Sequence, residues 1–309
     1  MTKAIAFHEY GSADVLRPID IELPAPGPGQ VRVAVRAVGV NPLDHKVRSG
    51  AMAGIFPVTF PAVPGYELAG VVEAVGEGVS GFAPGDEVFG AVMGGGYAEH
   101  ALVPAAMLAH KPASLGWAEA AAIPVAAETA ERSLALLGAQ AGETLLVHGA
   151  AGGVGTVLLQ FARARGITVI GTASEANHDH LRELGAIPVT YGDGLAERVR
   201  AVAPGGVDRA LDAAGKGDVL PLSVELTGST GRVLTIADFE GAQKYGIRVT
   251  GGSDGVEFHH QNAYAAAIAL HEAGTLRLPL HRVFPLAEAA EAQRISELGH
   301  LRGKIVLTV

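Results

Sequence analysis

The sequence predicts an α/β protein in which a doubly wound parallel sheet is joined to a separate antiparallel β domain. Three observations predict it. Over the first hundred residues, short β-rich runs are divided by the turn-formers PAPGPG, PGYE, GEG and APGD. Beyond about residue 122 such runs alternate with helix-length stretches, and the first of them meets its helix through GAAGGVG at 149–155. With 309 residues, the chain is long enough for two domains rather than one.

The early β runs lie at 3–7, 31–40, 68–75, 87–92 and 97–103. Strands spaced this closely leave no room for the crossover helices that parallel pairing requires, so they are expected to pair antiparallel. The texture changes at 114–122. Strands then follow at 144–148, 168–172, 188–191, 209–212, 231–236 and 248–251, with helices at 154–165, 178–184, 195–202 and 219–226 between them. That alternation is what a doubly wound parallel sheet produces. Helical stretches at 262–273 and 286–298 lead to a last strand at 304–309, and this tail is expected to rejoin the first domain. The expected domains are 1–121, 122–254 and 255–309.

Apolar residues make up 49% of the chain and charged ones 18%, enough for sizeable cores. The net charge of −9 disfavours nucleic acid and anionic lipid as partners. Cysteine is absent, which excludes disulfides, thiolate nucleophiles and Cys-ligated metal sites. His178, His180 and the pair His259-His260 show no third partner at metal-ligand spacing, so no metal site is expected. No apolar run approaches the ~18 residues of a membrane span, and MTKAIAFHEYG lacks a signal peptide's basic head and apolar stretch. A cytoplasmic location is expected.

Strand, glycine turn and helix occur around 149–155 in the order that a dinucleotide site needs. Small residues let backbone N–H groups approach a pyrophosphate, which the positive end of the following helix stabilises. Ala151, Gly152, Gly153 and Val154 are the candidates; the alternative is an ordinary βα turn in a glycine-rich protein. The second strand ends in VIGTAS at 169–174. A carboxylate there would accept hydrogen bonds from the adenosine ribose and repel a 2′-phosphate. Thr172 and Ser174 are assigned to the adenosine side instead, favouring NADPH over NADH, although Glu175 two positions on can take the ribose role. The nearby cations are His178, His180 and Arg182.

Four segments, GVNPLD at 39–44, PGYELAGVV at 64–72, GGYAE at 95–99 and the glycine turn, together resemble the medium-chain dehydrogenase/reductases, specifically the zinc-independent, zeta-crystallin-like quinone oxidoreductase branch. The resemblance covers nearly the whole chain. It implies a GroES-like N-terminal domain, a Rossmann domain and a C-terminal return to the first. The zinc alcohol dehydrogenases of the family carry a Cys where this chain has Asn41, a His where it has Tyr66, and a third ligand near 125–126. Their structural zinc lobe needs four cysteines. Metal-free chemistry is therefore implied.

The resemblance also implies site residues. Asn41 matches the branch's Asn beside the nicotinamide, the alternative being a turn-forming Asn before Pro42. Tyr66 is a weaker candidate hydrogen-bond donor to substrate, equally readable as a packing Tyr. Thr129 matches a Thr near the nicotinamide, or is a helix-interior residue. Tyr191 matches a position that packs on or bonds to the adenosine phosphate, whereas Asn177 stands where NADPH users often have Lys. Gly215 and Ile236 end the fourth and fifth strands at the nucleotide edge, or merely end strands. Asp44 and Glu67 read as supporting groups, and Lys304 matches the branch's GK[IV]V ending or is a solvated Lys. The branch's pocket Tyr after VRSG is absent; this chain has AMAG at 51–54.

The expected activity is hydride transfer from NADPH to a quinone or α,β-unsaturated carbonyl without a metal, with positioning and water exclusion as the protein's main tasks. A hydrogen-bond donor at the acceptor oxygen would stabilise the charge that develops there. Alternatives are an enoyl-thioester reductase and a non-catalytic NADPH-binding sensor or structural protein. A homodimer formed along the strand at 248–251 is also expected.

Overall fold

The structure, a computed structural model, describes residues 1–251 and 260–309; His259 and the boundary expected at 254/255 lie outside the described residues. Two units divide the chain. One holds Met1–Val125, His260–Gly274 and Leu278–Val309, the other Ala126–His259 and Thr275–Arg277.

In the first unit, β1 (Thr2–Ala6) pairs antiparallel with β2 (Arg17–Ile21). There follow β3 (Gln30–Val40), α1 (Pro42–Arg48), β4 (Glu67–Val75), β5 (Glu87–Ala91), β6 (His100–Pro104), β7 (Leu108–His110) and α2 (Trp117–Ala122). In β3, Val31, Val33 and Val35 are buried while the residues between them are not, as a half-buried strand requires. From Ala37 to Val40 every residue is buried.

The second unit begins within α3 (Pro124–Leu137) and continues with β8 (Thr144–His148), α4 (Gly153–Ala164), β9 (Thr168–Ala173), α5 (His178–Glu183), β10 (Ile187–Thr190) and α6 (Leu195–Val202). It is completed by β11 (Arg209–Asp212), α7 (Val219–Thr227), β12 (Val233–Thr235), α8 (Phe239–Tyr245) and β13 (Arg248–Val249). The six strands pair in parallel in the order β10-β9-β8-β11-β12-β13, the doubly wound arrangement of a Rossmann fold. Leu146, Ile170, Val189, Ala210 and Val233 from five strands pack with Val199 and Leu220 of the helices in its core.

The chain returns to the first unit as α9 (His260–Glu272), β14 (Leu280–Pro285), α10 (Ala289–Leu298) and β15 (Lys304–Thr308). β15 lies between β14 and β3, completing the GroES-like sheet in the order β14-β15-β3-β4-β5-β7. Residues 30–34 of β3 pair with β6, and residues 37–40 with β15.

Two strands at exposed positions escape the apolar pattern. β2 reads RPIDI and β14 reads LHRVFP, and each shows only one apolar residue or none to the core. The alanine-rich stretch at 118–130 falls in two helices, α2 and α3, divided at Ile123 because Pro124 cannot donate to the preceding turn. Among the described residues no helix is long and apolar enough to cross a membrane.

α1 is clamped to α10 through Arg48, whose side chain is 1% exposed. Its guanidinium donates to Gln293 Oε1 at 2.6 Å and to the Gly11 carbonyl at 3.1 Å, and pairs with Glu297. Removing it leaves buried acceptors without donors. Arg48→Ala is expected to lower the unfolding free energy by about 3 kcal/mol, measured by urea denaturation followed by circular dichroism.

Candidate functional site

In the second unit, parallel register places four polar side chains in one row at the carboxyl ends of the strands. Thr172 faces His148, His148 faces Asp212, and Asp212 faces Thr235. All four are buried. Asp212 Oδ1 accepts from the N–H groups of Ala214 and Gly215 at 2.9 Å, and Thr235 donates to Asp212 Oδ2 at 2.8 Å. Thr235 Oγ1 in turn accepts from Ala237 and Asp238 N–H at 3.1 Å. The row thus shapes the turns beyond β11 and β12.

Burial lowers the pKa of His148 to about 4 despite the opposing Asp212 charge, so its imidazole is neutral at pH 7. Its tautomer follows from its partners. Ser223 donates its hydroxyl proton to the Val219 carbonyl at 2.6 Å, so at 3.0 Å His148 Nε2 must be the donor to Ser223 Oγ. Nδ1 is then the acceptor for the Thr172 hydroxyl at 3.3 Å.

At the switch point beside this row, the glycine turn carries the chain from β8 into α4. A Cβ on Gly155 would lie 2.5 Å from the Gly149 carbonyl oxygen and 2.6 Å from that of Ala150, so this glycine is required by helix–strand packing. A Cβ on Gly152 would meet nothing closer than 3.4 Å. Gly152 is therefore not demanded by the protein's own packing, and the space before it is open to a ligand. Gly153, Val154 and Gly155 carry the N–H groups that an α-helix leaves without internal partners. This cradle fits a dinucleotide pyrophosphate.

Ala151, Gly152, Gly153, Val154, Thr172, Ser174, Tyr191, Gly215 and Ile236 all lie at or just beyond the carboxyl ends of β8 to β12. Thr172 turns its hydroxyl inward to His148 rather than into the open edge. Ser174 Oγ accepts from Asn177 Nδ2 at 3.1 Å. Thr190 pairs with Ala173, so Ser174 and Tyr191 are each the first residue past the last paired position of β9 and β10, and Tyr191 is 46% exposed. Arg198, which carries no motif in the sequence, donates to the carbonyls of Thr190, Tyr191, Gly192 and Asp193 and so anchors the turn that presents Tyr191. Thr129 is buried within α3.

The first unit holds a separate cluster. Asn41, at the start of α1, is 5% exposed; Asp44 and Glu67 are fully buried; Lys304 is 5% exposed. Lys304 is therefore not a solvated side chain. Its ammonium donates to Glu67 Oε1 at 2.6 Å and to Asn41 Oδ1, while Asn41 Nδ2 donates to the same Glu67 oxygen at 2.8 Å. Glu67 Oε2 accepts from Val125 N–H at 2.7 Å. Asp44 accepts from the backbone N–H groups of Asn41 and Gly65, at 2.7 and 2.9 Å.

Tyr66 is half-buried directly before β4, and burial together with the Asp44 charge raises its phenol pKa. The ring of Phe56 stands edge-on to it, with centroids 6.4 Å apart. The missing pocket Tyr thus has an aromatic neighbour a few positions along the chain, where motif spacing offered no signal. An amide at 41 and a phenol at 66 lack the soft or imidazole donors of a zinc site. Among the described residues no group of three His, Asp or Glu is arranged to hold a metal ion. The donor set does not fit zinc.

Comparison with known proteins places these features in a wider group. The alcohol dehydrogenase GroES-like domain family matches residues 27–113, and the zinc-binding dehydrogenase family matches 184–307. A quinone oxidoreductase of Sus scrofa is 35% identical, with 98% of this chain and 95% of that protein covered. The solved structure of the Escherichia coli quinone oxidoreductase complexed with NADPH superposes with a TM-score of 0.88 at 25% identity, covering 99% of this chain and 100% of that one. The chain is also 36% identical, over 97% of its length, to a segment making up 8% of the pikromycin polyketide synthase component PikAII of Streptomyces venezuelae.

Asp44 has a pH signature. Burial pushes its carboxyl from 3.8 up to about 7, against the backbone N–H bonds and the Lys304 charge that pull it down. A folded-state pKa raised in this way stabilises the protein fully below pH 3.8, and the benefit is lost as pH rises to about 7. Relative to Asp44→Asn, the wild type is expected to gain up to about 1.4 kcal/mol per pH unit as pH falls from 7 towards 4. Parallel urea titrations of the two proteins across that range measure it.

Proposed function

The chain belongs to the quinone oxidoreductase branch of the medium-chain dehydrogenase/reductases and is an oxidoreductase, and from that premise we propose that it reduces a quinone with NADPH, without a metal ion, in the cytoplasm. The observation that carries this reading is the open glycine cradle after β8, together with a neighbouring strand, β9, that ends in Thr172 and Ala173 without a carboxylate and is followed directly by the hydroxyl of Ser174. Such an edge accepts a 2′-phosphate where a carboxylate at the end of β9 would repel it. NADP(H) is the cofactor this supports, and the preference over NADH is part of the proposal.

When bound, NADPH supplies a hydride to an electrophilic acceptor. With one proton from solvent, a quinone then becomes a hydroquinone. This chain's residues bind and orient. The first turn of α4 and the open face of Gly152 receive the pyrophosphate; Ser174 and Tyr191 receive the adenosine phosphate; Thr129, Gly215 and Ile236 complete the nucleotide contacts. Asn41 donates an N–H to the acceptor oxygen as negative charge develops on it. Tyr66, whose phenol stays protonated, is a second donor in the same unit. α,β-Unsaturated carbonyls present the same electrophile and the same developing oxyanion, so they belong to the proposed substrate class.

The similarity to a polyketide synthase segment favours one second reading, reduction of an enoyl thioester by the same hydride chemistry. Purified, metal-free protein assayed with NADPH and NADH against quinones, enones and enoyl thioesters decides between them. Rapid NADPH oxidation with quinones is expected; turnover restricted to thioesters selects the second reading, and NADPH binding without turnover overturns both. In the same assay Asn41→Ala is expected to slow hydride transfer about 100-fold or more with NADPH affinity unchanged. Gly152→Val is expected to fold and to lose NADPH binding. The exposed edge at β13 is the proposed homodimer contact, and sedimentation as a monomer would refute it.

A further inference from the structure

Asn41 is assigned above to the acceptor oxygen, and a primary amide can meet an oxygen with either end. Its N–H group stabilises an oxyanion, whereas its carbonyl repels one. The cluster decides between them by chemistry. An ammonium has donors only and an ionised carboxylate acceptors only. Asn41 touches one of each: Lys304 Nζ at Oδ1, and Glu67 Oε1, 2.8 Å away, at Nδ2. A flipped amide would set oxygen against carboxylate and N–H against ammonium.

Neither partner has freedom to adapt. Glu67 is fully buried and its second oxygen is taken by the Val125 N–H at 2.7 Å. It lies so close to β3 that a Cβ on Gly39 would be 2.1 Å from Oε1. Lys304 is held by that same oxygen at 2.6 Å. Nδ2 carries two hydrogens, and Glu67 takes one. Among the described residues no second acceptor bonds to Nδ2.

We propose that Lys304 and Glu67 are positioning residues that lock the Asn41 amide so that its remaining N–H, and never its carbonyl, is offered to the oxygen of the reacting substrate. The lock acts through Asn41 and rests on the reading of Asn41 given above. It assigns a part in the chemistry to a lysine of the last strand and to a glutamate otherwise readable as structural.

The test uses 4-nitrophenol on the NADP⁺-loaded protein, because its absorbance separates bound phenolate from bound phenol. A site that offers an N–H favours the phenolate. Lys304→Met and Lys304→Gln both remove the charge and leave Glu67 without its counter-ion, so their effects on stability are comparable. Only Gln retains an N–H for Asn41 Oδ1. Lys304→Met is expected to lose the preference for phenolate by about tenfold or more, the worth of one hydrogen bond to an anion. Lys304→Gln is expected to stay within about threefold of wild type, and the quinone-reduction kcat is expected to follow the same order with NADPH affinity unchanged. Equal behaviour of the two variants overturns the proposal.

Should Lys304→Met fail to fold, Glu67→Gln and Glu67→Leu test the lock from its other side. A Gln carbonyl at the Oε1 position still accepts from Asn41 and Lys304, so Glu67→Gln is expected to stay within about threefold of wild type, whereas Glu67→Leu, with no acceptor, is expected to lose the phenolate preference; equal behaviour of the two overturns the lock. Asn41→Ala separates the role of the amide from the role of its partners. If it keeps the wild-type phenolate preference and rate, the reading of Asn41 fails. If it loses them while Lys304→Met and Glu67→Leu keep them, Asn41 stands and only the lock fails.

Discussion

The first unit is organised around one buried carboxylate. Glu67 opens β4 with no exposure to solvent, and an ionised group in that position is costly unless donors surround it. Its donors come from three separate parts of the chain: the end of β3 through Asn41, the beginning of β15 through Lys304, and the start of α3 through Val125. Each requirement explains another feature. β15 must lie beside β3 for the ammonium to reach, and residue 39 must lack a side chain for the carboxylate to fit against the strand. Arg48 fixes α1 from its other end, so Asn41 is held at both its side chain and its helix.

The second unit meets the same problem with neutral groups. The carboxyl edge of its sheet rests on a row of hydroxyl, imidazole and carboxylate side chains whose donors and acceptors alternate, and burial keeps the imidazole uncharged. Asp212 bears the row's negative charge and directs it to two backbone N–H groups and a hydroxyl. Such a network ties the geometry of the turns to the register of the strands beneath them. The close approach of Gly155 to the β8 turn does the same for α4.

What the sequence revealed was what is local. The glycine turn, the alternation of strand and helix beyond residue 144, and the strand ends at Thr172, Tyr191, Gly215 and Ile236 all lie within a few residues of their own signals. β2 and β14 were hidden because strands with little apolar burial carry no alternation to read. Lys304 was ambiguous because its partners are 237 and 263 positions away, and no periodicity reports a contact across that span. Among the described residues Arg198 hydrogen-bonds main-chain carbonyls, a role that leaves no pattern of residue types. Thr172 stands at its strand end as the sequence indicates, but its direction depends on His148 in the neighbouring strand.

The place of β15 in the first sheet also bears on how the protein is made. The β3 segment that ends in Val40 waits for a strand synthesised about 265 residues later, after nearly all of the second unit has left the ribosome. Until then Glu67 has no ammonium beside it, and the first sheet has an open edge where β15 belongs. The Rossmann unit, drawn almost wholly from one continuous stretch, has its strands available well before that moment. Order of assembly is therefore written into the topology: the later-made strand closes the earlier-made domain, and the nascent first domain is the part most in need of protection from premature strand pairing.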